Sequence, residues 1–315
     1  MSKKLEFSVA DGFALLSTRI ELPLVEYTAI ASKQAEIETY LAQYISTFTT
    51  VLPGAFSRRT LVSPLAGCTI NMYVLFKQEH STTFTPRQLL DKLWVTLKNR
   101  YENSSLSTNQ NAIILPFKDF EFRLQPGFLT NANSYLVPAQ GWVDYNSLGY
   151  KEKLTKANSL LKGRLIPLIR MVKSWNHVNG NYFDDYYLEL LVKDVMTDYS
   201  FTSYPLALCQ VFRAGLLETA YKKQDPANLE FEVEGLRDIE DLVKAMLHFK
   251  TAYKIARYAV EFEAAGDTEQ AIENWRKLLP GRFPSDIDLV VGQIKTLGIK
   301  GTDALKLMQD AYSKQ

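Results

Sequence analysis

Two aspartates near the end of the chain have the spacing of a metal site. Asp286 and Asp288 are separated by one residue, and carboxylate oxygens are the ligands that Mg²⁺ prefers in proteins. Ser285 precedes them, and a serine N-cap followed by acids in the first turn is also the pattern that begins a helix. Because capping explains all three residues, we do not expect Asp286 and Asp288 to bind a catalytic metal.

Basic side chains that could bind phosphate are concentrated in residues 151–173, which contain Glu152 as their only acid. Lys162 and Lys173 are eleven residues apart, which is three turns of one helix, so they would share a face. Either this segment is a solvated helix face, or it forms a positive wall for phosphates. The basic residues are Lys151, Lys153, Lys156, Lys162, Arg164, Arg170 and Lys173.

The overall charge excludes some partners. The chain of 315 residues has 36 Lys and Arg against 35 Asp and Glu, so it lacks the positive field of a protein that coats duplex nucleic acid. Residues 225–241 contain seven acids and a single basic residue, Arg237. This composition predicts an exposed acidic loop. With 46% hydrophobic residues, the chain is expected to fold into about two domains.

Other chemistries lack their characteristic residues. Cys68 and Cys209 are 141 positions apart, which argues against a disulfide framework and favours a reducing, cytoplasmic location. The three histidines are scattered, so no zinc site is expected. No nucleophile elbow, Walker loop or glycine-rich dinucleotide loop occurs. No apolar stretch approaches the roughly 20 residues of a membrane helix.

The elements that must position any site are mixed in the first half. Helical spacing covers residues 28–47, whereas β-branched and alternating residues predict strands over 69–76 and 112–124. Thr85 and Pro86 have the pattern of an N-cap and a first helical residue, and they predict a helix that continues to about Tyr101.

The second half reads as helical. Pro167 lies inside the first predicted helix and should bend or interrupt it, most simply as a kink, because proline lacks an amide hydrogen and clashes with the preceding turn. The predicted helices cover residues 152–178, 184–197, 203–223, 236–265 and 268–278.

Several segments occur in an order that, taken together, points to one family. They are PGAFSRRTLVSPL at 53–65, AGCTINMYVLF at 66–76, FRLQPGF at 122–128, YLVP at 135–138 with Trp142, LIRMVKSWN at 168–176, and AIENWRKLLPGRFP at 271–284. The chain resembles the nucleotidyltransferases related to cyclic GMP-AMP synthase and oligoadenylate synthase, especially the bacterial CD-NTases. The correspondence spans roughly residues 25–284.

The resemblance implies an α+β fold, namely the bilobal nucleotidyltransferase (polymerase β-like) fold, in which a mixed β-sheet N-lobe precedes a helical C-lobe. The N-lobe would span residues 1–150 and the oligoadenylate-synthase-like helical lobe residues 151–284. Residues 285–315 extend beyond the family's usual end and predict a helical pair. This extension either packs onto the helical lobe or docks a partner.

The family's metal ligands are not conserved in type at the matching positions. The family pattern places Gly67 and Thr69 at its Asp-x-Asp pair, Arg123 at its third aspartate, and Ala55 at the serine of its phosphate-binding turn. Nucleotidyl transfer in the family requires two divalent ions held by carboxylates. A guanidinium about 4 Å from a divalent ion costs ~8 kcal/mol at an effective dielectric of 20. We therefore expect no magnesium at this position.

One acid remains nearby. Glu121 lies two residues before Arg123 and therefore on the same strand face. It could supply a single metal ligand, or it could form a salt bridge with Arg123 or Arg58, but one carboxylate cannot replace three.

The basic residues at the matching positions could instead bind the phosphates of a nucleotide without metal, or they could pair with carboxylates inside the fold. The candidate phosphate-binding residues are the turn glycine Gly54 and the basic residues Arg58, Arg59, Arg123 and Lys173.

These observations predict a catalytically inactive CD-NTase-like protein that acts by binding. It would sense a nucleotide or oligonucleotide, or serve as a scaffold subunit, and it would need no metal cofactor. The resemblance implies a bacterial anti-phage defence complex with an effector or another operon-encoded subunit, docked through residues 285–315. The alternative is an active nucleotidyltransferase with displaced metal ligands that makes a cyclic or linear oligonucleotide.

Overall fold

The structure, a computed structural model, describes residues 7–46, 48–102 and 104–312. The chain forms two compact units. A sheet unit contains Leu22–Gly163 and Gln224–Val233, and a helical unit contains the described residues up to Glu21, Arg164–Lys223 and those from Glu234 onward. These boundaries differ from the predicted divisions after residues 150 and 284, because the chain enters the helical unit, returns to the sheet unit for ten residues and leaves it again.

The elements are numbered in chain order. The helices are α1 (Val9–Arg19), α2 (Leu24–Leu41), α3 (Ala55–Arg58), α4 (Pro86–Arg100), α5 (Ser147–Leu160), α6 (Leu165–Val178), α7 (Asp185–Asp198), α8 (Tyr204–Glu218), α9 (Leu242–Ala264), α10 (Thr268–Leu278), α11 (Asp286–Leu297) and α12 (Thr302–Tyr312). The strands are β1 (Phe48–Val51), β2 (Cys68–Phe76), β3 (Ser107–Asn109), β4 (Ala112–Pro116), β5 (Phe120–Leu129), β6 (Tyr135–Pro138), β7 (Trp142–Tyr145), β8 (Lys223–Gln224) and β9 (Glu232–Val233).

A mixed seven-stranded sheet forms the centre of the sheet unit. Its main path has the order β1-β2-β5-β4-β3, and β6 and β7 extend from β5. β2 and β5 are parallel, whereas β2 pairs antiparallel with β1 and β5 pairs antiparallel with β4. The pairing of β2 with β5 is decisive for the site, because it fixes which side chains of the two strands lie side by side.

Alternation assigns the two faces of β2. Ile70, Met72 and Val74 belong to the main apolar cluster, which also contains residues of α2 and α4. The intervening residues point to the opposite face, where Tyr73 and Leu75 form a smaller cluster with residues of β6. Thr69 and Asn71 are in phase with Tyr73, so they also lie on that second face.

Local signals in the first half are confirmed in several places. Thr85 caps α4 through a capping box with Gln88, as its pattern predicts. The predicted strand over residues 112–124 is instead a hairpin of β4 and β5. A backbone hydrogen bond from Phe117 N to Phe120 O closes its turn. The predicted helix over residues 28–47 is α2, which ends at Leu41, and residue 47 lies outside the described residues.

The long helix predicted over residues 152–178 is two helices. Lys162 and Gly163 adopt positive φ angles of 55° and 78°, which end α5 and allow α6 to begin at Leu165. Pro167 is the third residue of α6, where its missing amide hydrogen has no intrahelical partner to lose. The predicted helix is therefore interrupted before Pro167 rather than kinked at it, and Lys162 and Lys173 do not share a helix face.

Two charged pairs join α6 to α7 inside the helical unit. Lys173 Nζ lies 3.2 Å from Glu189 Oε2, and His177 Nε2 lies 3.0 Å from Asp185 Oδ1. The members of each helix are four residues apart, so the pairs form successive rungs between facing helix surfaces. Lys173 and Glu189 are both buried, which makes their pairing a structural requirement rather than a surface contact.

The C-terminal extension packs within the helical unit through α11. Arg19 Nη2 of α1 lies 2.7 Å from Asp288 Oδ1, and a Cβ on Gly292 would lie 2.9 Å from Leu15 Cδ1. Ser285 and Asp288 form a capping box at the start of α11. This confirms the capping interpretation of the two aspartates, and for α11 it favours packing over a free docking arm. Residues 313–315 lie outside the described residues.

A membrane-spanning helix would have to be longer and more apolar than any helix in the described part of the chain.

We expect the replacement Lys173→Met to lower the free energy of unfolding by about 3–5 kcal/mol, because it removes one partner of a buried charged pair. Chemical denaturation followed by circular dichroism measures this change. The matched replacement Lys156→Met on the exposed side of α5 should change it by less than about 0.5 kcal/mol. A loss below about 1 kcal/mol for Lys173→Met would contradict the structural role of the pair.

Acid should weaken the ion pair between His177 and Asp185. Burial alone would raise the pKa of Asp185, but the hydrogen bond from His177 and the charges of Lys173 and Arg237 lower it below its usual value. The stabilisation is therefore complete above the unfolded pKa of about 3.9 and is lost as the pH falls through the lower folded pKa. The difference in unfolding free energy between the wild type and Asp185→Asn should shrink from pH 6 to pH 3. Asp119→Asn, at an exposed turn, serves as the control, and a difference independent of pH would count against this assignment.

Candidate functional site

The candidate site lies on the second face of β2 and β5, within the sheet unit. The parallel register places Thr69 beside Glu121, Asn71 beside Arg123 and Tyr73 beside Gln125. Neighbouring strands are about 4.8 Å apart, so these six side chains form a compact polar and aromatic group at one end of the face.

Gly67 lies just outside the strand pair. Gly67 precedes β2, which begins at Cys68, and its φ of 76° belongs to a turn. The two β2 positions that face β5 near Arg123 are Thr69 and Asn71, separated by one residue. The strand positions that could present an Asp-x-Asp pair are therefore Thr69 and Asn71, and neither residue is a carboxylate.

The turn that carries Gly54 approaches this face. Gly54 has a φ of 77°, and a Cβ at this position would lie 3.2 Å from Asn71 Nδ2, so glycine permits a close approach. The turn leads into α3, whose last residue is Arg58, and Arg59 follows in the left-handed region with a φ of 59°. Gly54 and the two arginines are thus carried by one short segment next to β2.

Arg123 occupies an unusual electrostatic environment. Its Nη1 donates a hydrogen bond to Gln125 Oε1 at 3.1 Å, and the side chain is half-buried. Within the described ranges, no Asp or Glu forms an ion pair with this guanidinium. Burial lowers the pKa of Arg123, but an arginine stays charged in proteins. Burying a charge without a partner costs free energy, so a bound anion would stabilise this half-buried cation.

Glu121 does not form the salt bridge that its position suggests. Its Oε1 accepts a hydrogen bond from Thr69 Oγ1 at 2.7 Å, and no ion pair to Arg58 or Arg123 occurs in the part of the chain that the structure describes. The carboxylate is therefore held by its neighbour on β2 and leaves Arg123 without a counter-charge.

Tyr73 is a site residue that sequence reasoning did not identify. It is 5% exposed, and burial raises its pKa to about 12, against the opposing effects of Arg123 and Arg58. Its hydroxyl therefore remains protonated at neutral pH, and it has no hydrogen-bond partner among the described residues. The strand alternation Thr69-x-Asn71-x-Tyr73 contains the signal that would have identified it.

Arg58 and Asp225 complete the charged surroundings. Arg58 is 8% exposed, and its guanidinium lies 5.2 Å from the centroid of the Tyr150 ring. Asp225 is also buried, and it accepts hydrogen bonds from the Tyr145 hydroxyl at 2.9 Å and from Ala227 N at 2.8 Å. The predicted exposed acidic loop is therefore wrong at Asp225, which raises the pKa of Tyr73 against the opposing effect of the two arginines.

Lys173 is not accessible to a ligand. It is 1% exposed in the helical unit and is paired with Glu189. Its predicted contact with a phosphate is incompatible with that burial, because the ammonium group has almost no accessible surface.

The residues on this face do not fit a magnesium pair. Thr69 and Asn71 offer neutral oxygens, Glu121 offers one carboxylate, and Arg123 brings a positive charge that repels a divalent ion. In the described ranges, no group of three or more His, Cys, Asp or Glu side chains could hold a metal ion. By its charge the face favours an anion, whose binding would use Arg123 and the Tyr73 hydroxyl as donors, with Arg59 on the segment that follows α3.

Comparison with known proteins identifies a family domain. Residues 7–158 match the Second Messenger Oligonucleotide or Dinucleotide Synthetase (SMODS) domain. A probable cyclic nucleotide synthase of Bacillus cereus is 22% identical over 274 residues, covering 75% of this chain and 82% of the relative. A cyclic AMP-AMP-AMP synthase of an Acinetobacter species is 24% identical over 261 residues, covering 75% of this chain and 72% of the relative.

Solved structures share the fold. CdnC of Escherichia coli MS115-1, solved in a complex with HORMA-deltaN, superposes with a TM-score of 0.67 at 15% identity and covers 88% of this chain and 98% of CdnC. The cyclic AMP-GMP synthase DncV of Vibrio cholerae, in complex with a linear intermediate, superposes with a TM-score of 0.62 at 11% identity and covers 88% of this chain and 87% of DncV. These matches show the α+β nucleotidyltransferase (polymerase β-like) fold that the resemblance implies. The SMODS match over residues 7–158, the two relatives and the shared fold together support the CD-NTase family.

Proposed function

We propose that this CD-NTase-family protein binds the phosphates of a nucleotide or oligonucleotide without metal and does not join nucleotides. Arg123 is the central ligand, Arg59 is the exposed second cation, and the Tyr73 hydroxyl is a neutral donor. The observation that carries the proposal is the half-buried Arg123 guanidinium, for which the described residues provide no carboxylate partner.

Three features of the site support anion binding. Gln125 fixes the orientation of Arg123 through a single hydrogen bond, which leaves the remaining donors of the guanidinium for a ligand. The raised pKa of Tyr73 keeps its hydroxyl protonated. Thr69 holds Glu121 by a hydrogen bond, so that the carboxylate is not engaged with Arg123 where a phosphate would bind.

The same residues argue against nucleotidyl transfer. Metal-assisted phosphoryl chemistry needs carboxylates that position divalent ions against the triphosphate. The β2 positions that could present such a pair are Thr69 and Asn71, and Arg123 lies beside Asn71. A cation at that point stabilises bound phosphate, but it excludes the ions that would activate the attacking hydroxyl.

The second candidate is an active synthase with displaced metal ligands. It is favoured by the names of the two relatives, both of which are cyclic nucleotide synthases, and by the remaining carboxylate of Glu121. Incubation with labelled nucleoside triphosphates and Mg²⁺ or Mn²⁺ distinguishes the candidates. We expect no product, and a product that disappears in Glu121→Gln would establish the synthase instead.

The proposal also includes a protein partner. CdnC was solved with a HORMA partner and also with ATP, which supports a partner protein and a nucleotide ligand for a chain of this fold. Membership in an anti-phage defence complex stays a prediction. If residues 285–315 contribute to docking, α12 is the better candidate, because α11 is already packed against α1.

Replacing Arg123 should weaken phosphate binding strongly. We expect inorganic triphosphate and ATP to bind the wild type in the presence of EDTA, and Arg123→Met to weaken binding by about 10- to 100-fold, the value of one charge-assisted hydrogen-bonding group. Isothermal titration calorimetry measures both affinities. Arg87→Met is the matched control, because Arg87 is an exposed residue of α4 paired with Asp91. Absence of heat from every phosphate ligand with the wild type would overturn the proposal.

Restoring carboxylates should create a metal site. We expect the triple variant Thr69→Asp, Asn71→Asp, Arg123→Asp to bind Mn²⁺, because it places three acids on adjacent strand positions. The isosteric neutral variant Thr69→Asn, Arg123→Asn and the wild type should not bind it. Electron paramagnetic resonance of free Mn²⁺ reports the difference. Equal binding by the wild type and the triple variant would show that the original residues already hold metal.

A further inference from the structure

The outer face of α9 carries a regular exposed stripe in the helical unit. Its described residues recur at spacings of four and three from Val243 to Glu261, and all are exposed. Such alternating spacing forms a seam along one side of a helix. The residues are Val243, Leu247, Lys250, Lys254, Arg257 and Glu261.

The stripe is apolar at one end and basic at the other. Val243 and Leu247 are 68% and 54% exposed, and Met246 lies beside them in the first turns of the helix. Leu217 of α8 is 69% exposed and follows Gly215, which is in close contact with Phe249 of α9. Apolar side chains grouped in this way on a surface are typical of an interaction site.

An acidic segment leads directly into this stripe. Ile239–Asp241 forms a short helix that ends where α9 begins, and Asp238 and Glu240 are both exposed. Along the axis, the order is therefore acidic, apolar and then basic, with Lys250, Lys254 and Arg257 in the basic part. Glu261 follows at the end of the stripe, 3.3 Å from Arg257 Nε at the surface of the same helix. Glu240 and Arg257 are 17 residues apart, and a helix rises about 1.5 Å per residue. The two side chains are therefore separated by about 25 Å along the axis.

We propose that a second copy of this chain packs antiparallel on this face, about a twofold axis that passes between Leu247 and Lys250. The pairing then places position 240 opposite 257, 243 opposite 254, and 247 opposite 250, so the stripe is complementary to itself. Glu240 of each copy meets Arg257 of the other, and the two Leu247 side chains meet near the axis. Twofold contacts of this kind are the commonest form of self-association.

The order of charges along α9 favours an antiparallel second copy as the partner of this face. A parallel arrangement would place the basic ends together and the acidic ends together, which is unfavourable. An antiparallel arrangement pairs Glu240 with Arg257 twice and covers Val243 and Leu247 with the aliphatic stems of Lys254 and Lys250 of the other copy. The proposal is independent of the anion site, because α8 and α9 belong to the helical unit and the anion site to the sheet unit.

Sedimentation velocity on the full chain tests this proposal. In 50 mM salt and between 5 and 100 µM protein, we expect a concentration-dependent dimer that dissociates at higher salt. Leu247→Glu should be monomeric throughout. Leu229→Glu, at an exposed apolar residue of the sheet unit, should dimerise as the wild type does. A monomeric wild type at 100 µM, or a dimeric Leu247→Glu, overturns the proposal.

A charge exchange tests the register. Glu240→Lys and Arg257→Glu should each weaken the dimer at least tenfold, because each places like charges opposite one another. The double variant should return to within about threefold of the wild-type dissociation constant, since the pairing is restored in reverse. A double variant no tighter than the single variants would overturn the antiparallel register even if a dimer forms.

Discussion

The half-buried guanidinium of Arg123 is the constraint on which the chemistry of the sheet unit depends. It lies beside Asn71 on a parallel strand pair, it is oriented by Gln125, and the neighbouring Tyr73 is a protonated donor. Each neighbour is neutral, so the positive charge is not cancelled within this group. In our proposal, this arrangement replaces attraction for a divalent ion with attraction for phosphate.

Much of the sheet unit could be predicted from local patterns, because period-two alternation and helix caps act over a few residues. The alternation of Ile70, Met72 and Val74 fixes β2, and the capping pattern at Thr85 fixes the start of α4. Local patterns do not settle the family position of Gly67, which precedes β2. A pattern of letters alone does not set the phase of the strand, whereas the buried face does, and it places Thr69 and Asn71 beside β5.

The remaining errors arise where tertiary contacts override sequence patterns. Lys173 belongs to a basic segment, yet the pairing of α6 with α7 buries it against Glu189. Asp225 belongs to an acidic segment, yet the return of the chain to the sheet unit buries it near Tyr145. Neither outcome can be inferred from net charge along the chain, because each depends on which distant residue faces the side chain after folding.

The return of residues 224–233 to the sheet unit has a consequence for the ancestry of the protein. Ala227 O accepts a hydrogen bond from Asn146 N, and Asn228 Nδ2 donates one to Asp144 O, so the segment that carries Asp225 is fastened to β7 and the start of α5. A gene exchange that joins the first 163 residues to the remainder of a relative would transfer the half-buried Tyr145 without the carboxylate that accepts its hydrogen bond. Such a hybrid would leave a half-buried hydroxyl without its partner, and lineages should therefore keep these two stretches together.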